Sequence, residues 1–530
     1  MKLTVAIFLA LVTAVGTSCS GSGDNPSPSS GAGSTATPPA DSQALQTLKP
    51  VRLYAAAAGD QAGAIAAGDF NGDGKADVAL AAAFSDGPGG GRADAGAVYV
   101  FLGPFEPGEE RDAADGGQAL TIYGPAAGDQ LGRSLAAGDV DGDGIDDILA
   151  GSPFADGPAG DRTDAGRVDI VMGSRALGQG PRTLDLAQGG AGLTVFGASA
   201  GDLAGFSLAA ARLNDDQSAD VIIGAFWASG PDETRSMAGE VYGVHGGTGR
   251  TGILDLATAS ADVRVYGAAA GDRLGEGVAA GDVNGDGLDD LVLPAPFAVN
   301  LAGVKDAGRT YVIHSPAPSD IDLASFTPAA TVYGIDDGDQ LGHISVAGDT
   351  DTDGKADLLL TAVSADGPQN SVDLAGEAVL LRGASLKPTV DVAAGGADSI
   401  IYGRGREDRL GRSATMGDFD GDGRMELVLG APGSAGAGGN TPGAGEAYVL
   451  PAELGPEETA PGPGRVLYGS DAGDALASEI FGRNPLAAAD LDGDGRDELL
   501  VVAPLADGVD NQRQDCGEAV ILFITISNGG

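Results

Sequence analysis

The feature that most constrains this chain is a nine-residue pattern, Asp-x-Asn/Asp-x-Asp-Gly-x-x-Asp/Glu, which recurs at starts 67 to 73 residues apart when one damaged copy is included. The intact copies begin at Asp69, Asp139, Asp282, Asp349, Asp418 and Asp490, and the damaged copy begins at Arg212. A fixed period identifies a repeat architecture before any single motif is weighed. The 530-residue chain is therefore one structural unit written seven times.

Each unit contains four apolar runs of strand length, separated by clusters of Gly, Asp and Pro. The runs alternate or are continuously apolar, and no helical period lasts longer than a turn. Four short strands per unit, repeated seven times around a closed ring, describe a β-propeller. We therefore predict an all-β fold for residues 48–530: a seven-bladed β-propeller of four-stranded antiparallel blades.

The two ends of the repeat array predict how the ring closes. The strand that precedes a Tyr-Gly or Phe-Gly pair occurs an extra time before the first unit, at Val51–Tyr54, and is missing after the last unit. The last unit stops at the predicted strand Ala519–Ile526. We predict that the N-terminal strand completes blade seven as its outermost member, because closure removes the exposed edges of an open array.

The acidic pattern has the composition of a calcium loop. Ca²⁺ takes six to eight oxygen ligands, which a tight acidic loop supplies from alternate positions. In blade two these are Asp139, Asp141 and Asp143 at positions one, three and five, the backbone carbonyl of Ile145 at seven, and Asp147 at nine. The equivalent predicted ligands elsewhere are Asp69, Asn71, Asp73, Lys75, Asp77; Asp282, Asn284, Asp286, Leu288, Asp290; Asp349, Asp351, Asp353, Lys355, Asp357; Asp418, Asp420, Asp422, Arg424, Glu426; and Asp490, Asp492, Asp494, Arg496, Glu498.

These six loops predict about six calcium ions. Magnesium fits less well, because it gives up its water reluctantly and rarely uses a full protein cage. Blade three departs from the pattern, since Arg212 replaces the first carboxylate and Gln217 replaces the glycine. We predict no calcium in blade three, and a guanidinium of Arg212 that neutralises Asp216 or Asp220 instead.

The full repeat joins a Gly-Asp turn, the acidic loop and a Gly-x-Pro strand end, and it stands nearly whole at Tyr123–Pro153. It resembles the FG-GAP repeat of the integrin α-subunit propeller. This resemblance implies seven blades, with calcium in loops between the first two strands of a blade. Integrin leg domains have no counterpart in the sequence, so adhesion through a partner subunit is not implied. Similar repeats occur in bacterial surface proteins, lectins and some polysaccharide-degrading enzymes.

The first residues are typical of an export signal: Lys2, an apolar stretch from Leu3 to Val15, then small residues before Cys19. They resemble a lipobox, with Gly16 where Leu is usual, and predict a signal peptide at 1–18 with lipidation of Cys19; plain secretion is the alternative. Residues 19–47 are rich in Gly, Ser, Pro and Thr and predict a flexible tether. The predicted location is the bacterial cell envelope, as an outer-membrane or surface lipoprotein that meets the membrane only through its lipid.

A net charge of −46 excludes nucleic-acid phosphates as partners. We expect a monomer that binds a protein or glycan on the face opposite the calcium loops. The Gly-Asp turns of that face are interpreted as structural, at Asp60, Asp129, Asp202, Asp272, Asp339, Asp408 and Asp474. Variable features are better ligand candidates: an insertion near 477–482, and the side chains of Trp227, Arg92, Arg162, Arg235 and Lys305.

Two functional hypotheses follow from the sequence. The leading one is a non-enzymatic, calcium-stabilised binding or adhesion scaffold, because His245, His314 and His343 are isolated and no nucleophile motif accompanies them. The alternative is a lectin-like or polysaccharide-degrading propeller enzyme of the envelope, since propeller sites are assembled across blades.

Overall fold

A computed structural model describes residues 46–435, 443–460, 465–469, 476–478, 484–509 and 512–525. The predicted signal peptide, Cys19, Asp474 and most of the blade-seven insertion lie outside these residues. The described residues form seven blade sheets, whose first four strands are antiparallel, one two-stranded sheet and short 3-10 turns, with no α-helix among them. The chain is therefore the all-β, seven-bladed propeller that the repeat predicts. In the part of the chain that is described, no helix combines the length and apolarity needed to cross a membrane.

Every blade repeats the same succession of strands from the centre of the ring outward, and the blades are numbered one to seven along the chain. The innermost strands are Ala62–Gly68, Leu135–Gly138, Ser207–Ala211, Ala279–Gly281, Ser345–Gly348, Ser413–Gly417 and Leu486–Ala489. The second strands are Asp77–Ala82, Asp147–Ser152, Asp220–Ala225, Asp290–Ala295, Asp357–Ala362, Glu426–Ala431 and Glu498–Ala503. The third strands are Ala97–Phe101, Arg167–Val171, Glu240–Val244, Arg309–Ile313, Glu377–Leu381, Glu446–Leu450 and Glu518–Leu522.

The fourth strands are Leu120–Tyr123, Leu193–Phe196, Val263–Tyr266, Ala330–Tyr333, Ser399–Tyr402, Arg465–Tyr468 and, for blade seven, Val51–Tyr54. A fifth strand is present in blades one to five and in blade seven, at Arg182–Asp185, Gly252–Asp255, Asp320–Asp322, Thr389–Asp391, Glu457–Thr459 and Glu110–Asp112. The 3-10 turns are Pro88–Gly90, Ala113–Asp115, Leu177–Gln179, Leu186–Gln188, Pro231–Glu233, Pro368–Asn370, Gly383–Ser385 and Val392–Ala394.

The hydrophobic core lies between neighbouring blades. All six residues of every second strand are buried, which explains why the residues after the first acid are almost all apolar. One core cluster, for example, contains Val98 and Ile122 of blade one together with Ile148 of blade two. A sheet covered on both faces needs apolar residues on both, so strict alternation is lost where burial is greatest.

The N-terminal strand completes blade seven as predicted, but it is the fourth strand and not the outermost one, because Glu110–Asp112 pairs with its outer edge. Val51–Tyr54 pairs antiparallel with the third strand of blade seven, with Val51 opposite Ile521 and Tyr54 opposite Glu518. The innermost strands contact one another around the whole ring, and the last contacts the first. A short pair between Gln46–Thr47 and Ile524–Thr525 adds a second connection between the two ends of the chain.

The fifth strands are an addition to the four-stranded blades that we predicted. Each runs parallel to the fourth strand of its sheet, and each comes from the connection between the third and fourth strands of the next blade. In blade one, for example, Arg182–Asp185 pairs with Leu120–Tyr123. These strands are three or four residues long and mostly exposed or half-buried, so the sequence has no hydrophobic periodicity that would predict them.

The antiparallel order of the first four strands defines two faces of the ring. The acidic loops join the first and second strands, and they lie on what we call the loop face. The hairpins between the second and third strands, and the turns that lead from each fourth strand to the next blade, lie on what we call the hairpin face.

Candidate metal loops and the hairpin face

The first carboxylate of each intact loop fixes the loop backbone. In blade two, Oδ1 of Asp139 accepts hydrogen bonds from the N–H groups of Gly142 (2.8 Å) and Asp143 (3.0 Å), and Oδ2 accepts one from Gly144 (2.8 Å). The other five intact loops repeat the bonds to positions four and six at 2.6 to 3.0 Å. The six loops therefore share one backbone geometry.

Position six requires a left-handed backbone. Gly144 has φ of 84°, and the glycines at the same position in the other intact loops also have positive φ. Side chains disfavour this conformation, which explains the glycine. Blade three keeps the bend without it, because Gln217 adopts φ of 76°.

Carboxylates converge in four of the loops. Three acidic side chains place oxygens within 4.8 Å of one another in blades two, five, six and seven. The groups are Asp139, Asp141 and Asp147; Asp349, Asp351 and Asp353; Asp418, Asp420 and Glu426; and Asp490, Asp492 and Glu498. Such all-oxygen clusters could hold a hard divalent cation.

The acid at position nine, which we call the closing acid, is buried at the start of the second strand. Asp147 is 1% exposed, and its carboxylate accepts hydrogen bonds from Val140 N (3.0 Å) and Gly173 N (2.8 Å). Burial raises the pKa of Asp147 to about 7, and the nearby Asp141 and Asp139 add to the shift. A buried carboxylate with this pKa is poorly compensated by the protein alone, and a bound cation would stabilise its ionised form.

The residues at position seven, whose carbonyls we predict as metal ligands, also form a backbone hydrogen bond within the loop. Each donates its backbone N–H to Oδ1 of the aspartate at position five, at 2.9 to 3.0 Å. These residues are Lys75, Ile145, Leu288, Lys355, Arg424 and Arg496.

Blades one and four carry an asparagine at position three. Nδ2 of Asn71 lies 3.2 and 3.3 Å from the two oxygens of Asp77, and Asn284 makes the same contacts with Asp290 at 3.1 and 3.3 Å. The amide thus satisfies the closing acid in these two blades. Rotating the amide by half a turn would present its oxygen instead, as a metal ligand requires.

In blade three, our prediction that Arg212 neutralises Asp216 or Asp220 is wrong. The side chain of Arg212 is exposed, and among the described residues it forms no ion pair with Asp216 or Asp220. Asp220 is instead satisfied by Asn214, whose Nδ2 lies 3.2 and 3.3 Å from its oxygens, and by the N–H of Leu213 at 2.8 Å. Arg212 begins the loop on the surface, whereas Asn214 points inward, so the neutral amide takes the role that we assigned to the cation.

Blade five holds a cation that sequence reasoning missed. Nη1 of Arg382 lies 2.8 Å from Oδ2 of the closing acid Asp357 and 3.9 Å from Oδ2 of Asp351. Arg382 directly follows the third strand, a position far from the loop in sequence. A comparison of the residue that directly follows the third strand in each repeat could have revealed this arginine.

Four of the seven Gly-Asp turns on the hairpin face are held by the side chain of their own aspartate. Oδ2 of Asp60, Asp202, Asp272 and Asp339 accepts a hydrogen bond from the backbone N–H three residues earlier, at 2.9 to 3.1 Å. A carboxylate bonded to its own turn stabilises that turn.

Three of the basic side chains that we considered for an anionic ligand are paired within the protein. Arg92 contacts Asp185 (2.6 Å), Arg162 contacts Asp255 (2.5 Å) and Arg235 contacts Asp322 (2.7 Å). The acid in each case is the last residue of the fifth strand of the same blade. These pairs anchor the fifth strands, and of the four candidates only Lys305 remains as an exposed side chain without such a pair among the described residues.

Four aromatic residues occupy one equivalent position in four consecutive blades. Phe84, Phe154, Trp227 and Phe297 each lie two residues after the second strand and are half-buried on the hairpin face. We call these four residues the aromatic arc. The same position holds Ser364, Gly433 and Leu505 in blades five to seven.

Neighbouring side chains support the aromatic arc from below. Trp227 packs beside Phe226, with ring centroids 5.7 Å apart, and the ring of Phe226 is tilted against that of Phe206 with centroids 4.3 Å apart. The guanidinium of Arg273 lies 3.9 Å from the ring centre of Phe297. The arc is therefore held in place by packing and presents an apolar edge to solvent.

Comparison with known proteins identifies the repeat. The family model described as FG-GAP repeat matches residues 62–101, 131–171, 274–313, 410–450 and 481–515, which belong to blades one, two, four, six and seven. Phosphatidylinositol-glycan-specific phospholipase D of Rattus norvegicus is 30% identical over 167 residues, which are 31% of this chain and 19% of that protein. The Mus musculus protein of the same name matches with the same identity and coverage. The match thus spans about a fifth of the length of these curated relatives.

A solved structure, the exotype rhamnogalacturonan lyase YesX, is 15% identical with a TM-score of 0.42, and the alignment covers 90% of this chain and 75% of that one. The five matched repeats, and the seven blade sheets that close into a ring, show that this chain is a seven-bladed β-propeller that contains FG-GAP repeats.

Proposed function

We propose that this chain is a non-enzymatic binding or adhesion scaffold of the bacterial cell envelope, stabilised by calcium in its intact acidic loops. In this proposal the loop face builds the scaffold, and the hairpin face binds a protein or a glycan. The observation that carries it is the contrast between the two faces. One loop geometry recurs on the loop face, whereas the hairpin face differs from blade to blade and carries the half-buried aromatic arc.

The donor set supports calcium. The clustered ligands are carboxylate oxygens, and the closing acids of blades one, two, six and seven are buried with pKa values raised to about 7 or 8. Asp69, Asp139, Asp418 and Asp490 would hold the ion together with these acids. Calcium would supply positive charge and no chemistry of its own, since it would link carboxylates that otherwise repel one another.

The aromatic arc supports a ligand on the hairpin face. Half-buried aromatic side chains that are fixed by packing can bind the apolar face of a sugar or an apolar patch of a protein with little loss of conformational entropy. We propose that the ligand contacts Phe154 and Trp227 first, because they lie in the two central blades of the arc.

A glycan array and a binding screen against envelope proteins test this function. Phe154→Ser should weaken binding about tenfold, which corresponds to about 1.4 kcal/mol. Leu505→Ser is the matched control, because it makes the same kind of change at the equivalent position outside the arc. Equal losses in both variants, at unchanged melting temperature, would contradict a ligand site at the arc.

The alternative function is a polysaccharide-degrading enzyme or lectin-like propeller. The names of the curated relatives describe a phospholipase, and their matched segment is a fifth of their length, so we infer no lipid substrate from them. A hydrolase and lyase screen on the same protein separates the hypotheses. Turnover of any polysaccharide would overturn the non-enzymatic scaffold.

A further inference from the structure

Two positions flank the closing acid in every blade: the second residue of the loop, and the residue that directly follows the third strand. Both are apolar in blades one, two, six and seven, where the pairs are Phe70 and Leu102, Val140 and Met172, Phe419 and Pro451, and Leu491 and Phe523. Blades three and four have an apolar residue with a histidine, in the pairs Leu213 and His245, and Val283 and His314. In blade five the pair is Thr350 and Arg382, and both residues are polar.

Thr350 and Arg382 form one hydrogen-bonded unit with the closing acid. Oδ2 of Asp357 accepts hydrogen bonds from the Thr350 N–H (3.1 Å), from the Thr350 hydroxyl and from Nη1 of Arg382 (2.8 Å). Nη1 also donates to the Thr350 hydroxyl, and Nη2 donates to the carbonyl of Ala452 in the next blade at 2.8 Å. The Arg382 side chain is only 19% exposed, so its charge is held at the loop.

The carboxylates of blade five are arranged differently as a result. In blades two, six and seven the three converging acids include the closing acid, whereas in blade five they are the acids at positions one, three and five. Asp357 already shares its oxygen with a guanidinium. A calcium ion bound by Asp357 and Asp351 would lie next to Nη1 and be repelled by it. The residues present therefore do not fit the metal that the motif predicts.

We propose that Arg382 is the built-in cation of blade five: its guanidinium replaces the calcium ion, and this loop folds without metal. The inference rests on the proposed calcium sites in the other blades, and it reduces the expected number of ions from about six to about five. Thr350 positions the guanidinium, because its hydroxyl contacts both Arg382 and Asp357. Blade five, like the damaged blade three, also lies outside the residues that the family model matches.

Exchanging the two residue pairs between blades tests the proposal. The variant Thr350→Val/Arg382→Met gives blade five the pair of blade two, and Val140→Thr/Met172→Arg makes the reverse change. Native mass spectrometry of the full chain, after dialysis against excess Ca²⁺, counts the ions bound per chain. We expect one ion more than wild type in the first variant and one ion fewer in the second. The chelator-induced fall in melting temperature should grow in the first and shrink in the second.

The outcomes separate this inference from the proposed function. A wild-type protein that binds no calcium at all would refute the calcium-stabilised scaffold and, with it, this inference. A wild-type protein that binds several ions, with the same number in both folded variants, would overturn the role of Arg382 alone. If the first variant does not fold, the second decides: an unchanged ion count in folded Val140→Thr/Met172→Arg overturns the proposal.

Discussion

The closing acids tie the protonation of single residues to the stability of the ring. Asp77, Asp147, Glu426 and Glu498 each begin a buried second strand and receive hydrogen bonds from the loop backbone. Burial raises all four pKa values, because its effect is larger than the opposite effect of these hydrogen bonds. Without a cation, folding therefore favours protonation of each acid relative to the unfolded chain.

This preference predicts a pH dependence. The folded pKa values are about 7 for Asp77 and Asp147 and about 8 for Glu426 and Glu498, above ordinary values of 3.8 and 4.5. The folded state therefore binds more protons, and the stabilising contribution of these acids, complete below their ordinary pKa values, is lost as the pH rises to 8. In metal-free buffer the melting temperature should fall between pH 5 and 8.

Saturating calcium should weaken or reverse this trend, because the ion stabilises the ionised carboxylates. Scanning calorimetry at several pH values, in metal-stripped buffer and with Ca²⁺, checks both curves. A metal-free melting temperature that rises from pH 5 to 8 would contradict the assignment of these acids as buried and poorly compensated.

A single substitution tests one loop. Asp147→Asn should remove one bound ion and lower the free energy of unfolding in calcium, by about 2.7 kcal/mol at a calcium concentration 100 times the dissociation constant. Asp220→Asn is the matched control in blade three, where we expect no metal and no calcium-dependent change. Isothermal titration and calorimetric melting measure the two effects. A calcium-dependent loss of the same size in Asp220→Asn would argue against the interpretation of blade three.

At the scale of elements, each acidic loop also joins two blades. The N–H of Asp146 donates to the carbonyl of Asp69 (3.0 Å), and the carboxylate of Asp146 accepts from the N–H of Asp69 (2.9 Å). The damaged loop keeps the same contact, between Arg212 and Asp289. The loop therefore has a structural role that survives without its ligand set, which explains why blade three retains the bend.

Deleting the strand Val51–Tyr54 tests whether a single element closes the ring. This strand completes blade seven, and Nη1 of Arg52 forms an ion pair with Glu518 at 2.5 Å. Deleting residues 48–55 should lower the melting temperature sharply, because it exposes the edge of the third strand and opens the ring. A deletion of similar length within the predicted tether, at 25–32, should leave the melting temperature unchanged. Equal melting temperatures for both deletions would contradict closure by this strand.

The elements show what local patterns can predict. The second strands were predictable, because their apolar residues follow directly on the acidic loop. The fifth strands were not, because their exposed, short segments bury little apolar surface, and their partners lie in another repeat. Arg92 and Asp185 are 93 residues apart in sequence, and nothing in either segment indicates the other.

For the whole molecule, the chelation experiment is decisive. Removing calcium with EGTA at constant pH should lower the melting temperature of the ring, since several loops lose their ligand at once. Magnesium at the same concentration should restore little of the loss. An unchanged melting temperature in EGTA would mean that the loops are not structural calcium sites.

The predicted anchor can be tested in cells. Cys19→Ser should abolish incorporation of labelled palmitate and move the protein from the membrane fraction to the soluble fraction. Cys516→Ser is the control, since Cys516 is buried within the described ring. Full palmitate labelling of Cys19→Ser would contradict lipidation at that residue and favour plain secretion.

The sequence by itself determined the number of blades, the order of the first four strands of a blade, the closure by the N-terminal strand and the identity of the loop residues, because each follows from a pattern repeated within about 70 residues. The tertiary structure decided how individual side chains are paired: Asn71 and Asn214 with the closing acids, Arg212 with solvent, and Arg382 with the loop of blade five. The physical reason is the distance along the chain between the residues that determine each feature. A repeat reports the backbone geometry that all its copies share, whereas the neutralisation of a buried charge depends on whichever group the folded ring brings within hydrogen-bond distance.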